Sequence, residues 1–206
     1  MLREVASCVG AEWRTKAVWS VLLTLFFCVP YFALQRAIVM PVHTFPLSWV
    51  DEAVTFDPRW ASVYQSGYLL LSVVPWLLDR PEDLSRYVRG FVRISLVGFA
   101  FFVLLPVAGP RPADAPAAGM YGWLVSYDRP TNAFPSLHMA FLGFTVLVAA
   151  RVSRHRVPAS RRRWLLASAA AWTVAVAYAT LATKQHYAID LPAGLLLAWL
   201  VDRRTR

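Results

Sequence analysis

Two histidines and one aspartate in this chain have the types and the spacing to move a phosphoryl group. His138 lies in the run Pro135-Ser136-Leu137-His138, and His186 lies in Lys184-Gln185-His186-Tyr187-Ala188-Ile189-Asp190. Asp190 follows His186 by four residues, the spacing that stacks two side chains on one helical face. A carboxylate that accepts the Nδ1 proton of an imidazole fixes its tautomer and leaves Nε2 to attack an electrophile or carry a proton. A second histidine can then protonate a leaving oxygen. Phosphoryl transfer also needs fixed positive charge on the nonbridging oxygens, and Lys184 with Arg111 or Arg129 can supply it. Such a set calls for no metal and no cofactor. A metal site built from His138, His186 and Asp190 is the alternative, although no Cys or Glu ligand stands nearby. Each histidine alone has a plainer reading, His138 as a polar contact between helices and His-x-x-x-Asp as a chance spacing. The grouping carries the argument.

The elements that must position these residues are apolar. Of 206 residues, 58% are hydrophobic and 16% charged, and the mean hydropathy is +0.46, too greasy for a soluble domain of this size. Against 12 Asp and Glu stand 21 Lys and Arg, a net charge of +9. Nucleic-acid binders carry such an excess on a polar chain, whereas membrane proteins carry it in cytoplasmic loops. The composition excludes a disordered, collagenous or disulfide-built chain, and Cys8 and Cys28 are expected at different depths, without a bridge.

Uncharged intervals cover 17–35, 60–78, 94–110, 130–150 and 164–183, each about the 17–25 residues that cross a bilayer as a helix. A sixth helix over 187–201 must include Asp190, and a carboxylate near the membrane marks a function by default. The expected architecture is an all-α, integral-membrane bundle in one domain over 1–206. Its six transmembrane helices fall near 17–35, 60–78, 94–110, 134–150, 164–183 and 187–201. A buried all-α soluble core is the alternative, and five separate intervals of this length argue against it. The first helix, preceded by Arg3, Arg14 and Lys16, reads as an uncleaved signal anchor rather than a cleaved signal peptide. Residues 106–122, rich in Pro, Ala and Gly, read as a loop.

Alternating the loops between the two sides puts 16 Lys and Arg on one side and five on the other, which predicts cytoplasmic termini. The five are Arg36, Arg59, Arg111, Arg129 and Lys184. Ser136 and His138 then start the fourth helix on the outer side, and Lys184 to His186 emerge beside them after the fifth. The basic run from Arg151 to Arg163 reads as a topology signal in contact with anionic head groups rather than a nucleic-acid site. His43 and His155 read as solvated loop residues.

At these positions the sequence resembles the type 2 phosphatidic acid phosphatase superfamily, over nearly the whole chain. Arg111-Pro112 matches the end of that family's first block, Pro135 to His138 its second, and His186 with Asp190 its third. The resemblance implies that His186 is a nucleophile forming a phosphohistidine, Asp190 its orienting partner and His138 the acid for the leaving group, with Ser136 among the phosphate-binding residues. The chain departs from the pattern at Leu104, Leu137 and Thr180, where the family has Lys, Gly and Arg. Lys184 is the expected replacement cation. Pro-Ser-Leu-His, together with the outer loop from Asp51 to Tyr64, looks like the branch of inositol phosphorylceramide synthases and related bacterial proteins. It implies a plasma-membrane enzyme with an extracytoplasmic site, acting on a lipid phosphate or phospholipid head group. The acceptor is water, a lipid alcohol or a polyol. A noncatalytic scaffold or lipid transporter that keeps the bundle is the alternative. Neither the acceptor nor the oligomeric state is legible in the sequence.

Overall fold

The computed structural model describes residues 10, 12–116 and 118–205. The chain is 71% helix, and no strand forms among the described residues. The helices are α1 (Trp13–Leu34), α2 (Trp49–Ala53), α3 (Ala61–Trp76), α4 (Pro81–Leu104), α5 (Gly119–Tyr127), α6 (Leu137–Ser153), α7 (Ala159–Ala182) and α8 (Asp190–Thr205). A single 3-10 turn at Pro58–Trp60 leads into α3. Cys28 is a free thiol. Cys8, Arg3 and Arg206 lie outside the described residues, and with them the expectations placed on those positions.

Local chemistry sets the helix ends. Pro81 opens α4, where a missing N–H costs nothing, and Glu82 and Asp83 favour its positive end. Ser136 caps α6, its Oγ accepting the Met139 N–H at 3.3 Å. α7 ends in a Schellman turn, with Gln185 N–H bonded to the Thr180 carbonyl at 3.1 Å and Lys184 N–H to that of Leu181 at 3.0 Å. Lys184 takes the left-handed position of that turn, φ 53°, where glycine is usual.

α6 is the central helix. Every residue from Leu137 to Thr145 is buried, whereas α1 buries only Lys16 and Leu23. Tyr87, Ile94 and Phe102 of α4 pack with Phe141, Phe144 and Val148 of α6 and with Ala198 and Val201 of α8. The most extensive helix contact joins α6 to α8. Small residues permit it: a Cβ on Gly194 would collide with the Ser136 carbonyl oxygen, and one on Gly143 would press on Leu195. At the far end of the bundle Arg151 pairs with Asp202 and Arg156 with Asp79 and Asp83. Arg86 Nε donates to the Thr205 carbonyl there at 2.9 Å.

Three helices, α1, α4 and α7, are long and apolar enough to cross a membrane, so the expected six are corrected to three on that measure. α3, α6 and α8 have 16, 17 and 16 residues, about 24–26 Å of helix against a hydrocarbon core of roughly 30 Å. Two boundaries also differ from expectation. α4 starts at Pro81 rather than near 94, because its first turns are amphipathic and carry their charges outward. α8 starts at Asp190 rather than 187, so His186 precedes the helix instead of sharing a helical face with Asp190. The loop expected over 106–122 ends at Ala118, because the apolar run from Gly119 to Tyr127 forms α5.

Gly194→Ala should destabilise the protein by about 2 kcal/mol by overpacking a backbone contact. In detergent its melting temperature should fall by roughly 4–8 °C.

Candidate functional site

The site lies where α6 and α8 begin. Ser136 N–H donates to the Asp190 carbonyl at 3.2 Å, so the two starting turns are joined through the backbone. Three extended segments cover this end. His43 N–H bonds to the Pro106 carbonyl and Ala108 N–H to that of His43, both at 2.8 Å. Ala133 N–H bonds to the Val107 carbonyl at 3.0 Å. Val107, Ala133 and Tyr187 form a small buried cluster with Phe45 and Phe134 packed on it.

That layer aims the Ala133 carbonyl at His186. Nδ1 of the buried His186 stands 2.7 Å from it and 3.3 Å from Asp190 Oδ2. A carbonyl oxygen only accepts, so the proton sits on Nδ1 and the lone pair on Nε2. Asp190 is fully buried; its Oδ2 also accepts the Tyr187 N–H at 2.8 Å, while its Oδ1 meets no partner among the described residues. The expected pair therefore meets, although the closer orienting group is a backbone carbonyl with no side-chain signature in the sequence.

His138, the second residue of α6, is buried; among the described residues neither ring nitrogen makes a close hydrogen bond, and the Tyr64 backbone is the polar group near enough to act on it. Its ring stacks on Tyr64 with centroids 4.3 Å apart, and Tyr68 meets it edge-on at 4.7 Å. Gly67, between those tyrosines on α3, allows the close approach, since a Cβ there would collide with Nε2. The two imidazoles are close enough for charge on one to act on the other.

The cations are engaged. Arg111 donates to both the carbonyl and the Oδ2 of Asp128, the latter at 2.9 Å, and to Gln185 Oε1, while its buried Nε meets no partner among the described residues. Asp128 also accepts from Tyr31 Oη at 2.9 Å and Gln35 Nε2 at 2.6 Å. Arg111 thus ties α1, the α5 terminus and the His186 loop together, and Gln185 carries that tie to the residue before the histidine. Arg129 is exposed, and its backbone N–H donates to Gln35 Oε1 at 3.1 Å. Ser136 is buried, with its Oγ committed as the α6 cap.

Lys184 Nζ donates to the carbonyls of Asp51 and Val54, both at 2.6 Å. It points into the segment between α1 and α3, at α2. Burial pulls its ammonium below the ordinary lysine range, opposed by the Asp51 carboxylate. Burial pushes Asp51 upward, but bonds from the Ser48 hydroxyl and backbone and from the Ala188 N–H, with the Lys184 charge, hold it below the ordinary carboxylate value. Sequence reasoning gave Asp51 no role of its own. Its signal was Ser48-x-x-Asp51, a capping-box spacing that forms with both bonds in place.

Beside the site, a cavity of about 630 Å³ lies between α1, α3 and α4, lined by Phe27, Tyr31, Leu71 and Phe91, with Asp128 among its polar residues. Tyr68 lines it too and separates it from His138. Among the described residues no group of three or more His, Cys, Asp or Glu is arranged to hold a metal ion.

Asp128→Ala strands Arg111 in a nearly buried position and should cost about 3 kcal/mol, a fall of roughly 6–12 °C in melting temperature. Arg59→Ala breaks the pair with Asp57 at a guanidinium that is 89% exposed and should leave the melt unchanged.

No curated protein and no solved structure matches the chain. The sequence model of the PAP2 superfamily matches residues 29–202, which span the layer over the site, His138, His186 and Asp190. The chain belongs to the PAP2 superfamily.

Proposed function

We propose that the protein is a metal-independent lipid phosphatase or head-group phosphotransferase that works through a phosphohistidine at His186. The observation that carries this reading is the Nδ1 proton of His186, held by the Ala133 carbonyl and Asp190, which turns the lone pair of Nε2 outward from that pair. Membership in the superfamily suggests phosphatase-type chemistry. The neighbouring cavity, about 630 Å³ and largely apolar in its lining, suits the chain of a lipid substrate.

In the first step Nε2 of His186 attacks phosphorus, and the bond from phosphorus to the lipid oxygen breaks. Protonated His138 gives its proton to that oxygen, and the Ala133 carbonyl and Asp190 stabilise the phosphoimidazolium. In the second step water or an alcohol attacks the same phosphorus and passes its proton to His138, and cleavage of the P–N bond restores His186. The first N–H groups of α6, at Leu137 and His138, are left over once Ser136 has capped Met139, and a helix start of this kind receives phosphate oxygens. Arg111 adds the unpartnered Nε donor, and exposed Arg129 adds charge from the rim. In this reading α1, α4 and α7 span the membrane, and the arginine-rich end of the bundle faces the cytoplasm. The site then opens at the extracytoplasmic face.

The engagement of Arg111 with Asp128 and of Lys184 with α2 favours a second reading, a noncatalytic scaffold or lipid transporter whose cations serve the fold. One panel separates the two. Purified protein should release phosphate from lipid phosphates, or yield a lipid-bound product when a lipid alcohol is supplied. His186→Ala should abolish both activities, and His138→Ala should lower them by about 10²–10⁴-fold, with membrane insertion intact. Turnover retained in His186→Ala contradicts the phosphohistidine, and no turnover with any substrate favours the scaffold.

A further inference from the structure

The loop that carries His186 is fastened on both sides of the histidine to one short helix of the first outer loop. Two residues before it, Lys184 Nζ reaches the carbonyls of Asp51 and Val54 at 2.6 Å each. Two residues after it, the Ala188 N–H donates to Asp51 Oδ1 at 2.7 Å. The other carboxylate oxygen, Asp51 Oδ2, accepts the Ser48 N–H at 2.8 Å and the Ser48 hydroxyl at 2.6 Å. Asp51 is 4% exposed, so these bonds do not compete with water. A further bond, from Asp57 N–H to the Ala182 carbonyl at 2.9 Å, joins the same two segments. The partners in the two segments stand 125 to 137 positions apart in the sequence, so local folding alone brings neither to the other.

The backbone at Lys184 adds a second argument. The left-handed position that closes α7 is occupied elsewhere by glycine because a side chain there costs roughly 1–2 kcal/mol. This chain places a lysine in it, at φ 53°. Strain of this kind persists where the surroundings over-determine it, and here the two carbonyl bonds of Nζ are what the lysine gains. A lysine that served only to end the helix would be better replaced by glycine.

We infer that Asp51 and Lys184 are positioning residues for His186. They form a clasp that holds the 183–189 loop against α2, so that Nδ1 stays on the Ala133 carbonyl and Nε2 stays in line with phosphorus. Lys184 then acts through the loop rather than as a phosphate ligand, which leaves Arg111, Arg129 and the α6 start to face the phosphate. Serial displacement of a nucleophile by about 1 Å costs about 10²-fold in rate, and the clasp guards against that loss. The inference rests on the phosphohistidine reading for its catalytic half, while its structural half stands on the bonds alone.

Two measurements on the full-length protein in detergent test it. Hydrogen exchange followed by mass spectrometry should show faster exchange over 183–189 in Asp51→Asn and in Lys184→Gly, with α4 and α6 unchanged. Steady-state turnover of a lipid phosphate by the same variants should fall 10-fold to 10²-fold in kcat, with KM and inhibition by inorganic phosphate nearly unchanged. Lys184→Gly should keep or raise the melting temperature, because it relieves the left-handed strain, and Lys184→Arg should recover part of kcat. If Asp51→Asn does not fold, Ser48→Ala loosens the same carboxylate and should move both readouts in the same direction by a few-fold. Unchanged exchange, unchanged kcat, or a loss that appears in KM and phosphate inhibition instead overturns the inference. If the wild-type protein turns over no lipid phosphate, the functional reading fails, and exchange still decides whether the clasp holds the loop.

Discussion

The starts of α6 and α8 touch through their backbones, and the site follows from that contact. Ser136 N–H bonds to the Asp190 carbonyl, and the Ser136 carbonyl lies where any side chain at position 194 would have to stand. Helices that meet this closely need small residues at the crossing, which Gly194, Gly143 and Ala198 provide. With the two starts fixed together, His138 and His186 become neighbours although they stand 48 positions apart in the sequence. The same contact buries Asp190, and a buried carboxylate needs hydrogen bonds. It finds them in the Tyr187 N–H and in His186 Nδ1, so one buried carboxyl group helps the Ala133 carbonyl orient the His186 ring.

Charge is distributed by function along the bundle. At one end, arginines pair with Asp79, Asp83 and Asp202 and tie the ends of α6 and α8 to the start of α4. At the other end few cations remain, and most are built into the scaffold of the site: Arg111 into the network with Asp128, Gln35 and Tyr31, and Lys184 into the segment around α2. Hydrogen bonds from these cations tie the segments of the site to one another. For the proposed reaction, preorganisation of that kind would lower the cost of reaching the transition state, because donors and nucleophile would not have to move as charge develops.

His138, His186 and Asp190 were legible as a group because their types and spacing are chemical statements, and the structure brings them to one end of the molecule. The all-helical architecture followed from the uncharged intervals. What stayed hidden depends on backbone and on long-range contact. The carbonyl of Ala133 leaves no mark in a sequence, although it is the nearest partner of His186 Nδ1. Asp190 was read as sharing a helix with His186, but the helix starts at the aspartate and the histidine meets it from the preceding turn. Lys184 was singled out for its charge, and nothing local says that the charge is spent on carbonyls of residues 51 and 54. Five uncharged intervals and a sixth segment overstated the crossing helices because apolar length is not helical length: the Ser136 cap starts α6 only at Leu137, and α8 starts only at Asp190.

The central claim is that His186 becomes covalently phosphorylated. The most direct measurement is a rapid denaturing quench at alkaline pH, where phosphohistidine survives, during turnover of a lipid whose phosphate is radiolabelled, followed by peptide mapping. The account predicts label on the peptide that contains His186, formed and lost at rates that match turnover. Turnover without label on that peptide, or label on another residue, contradicts it.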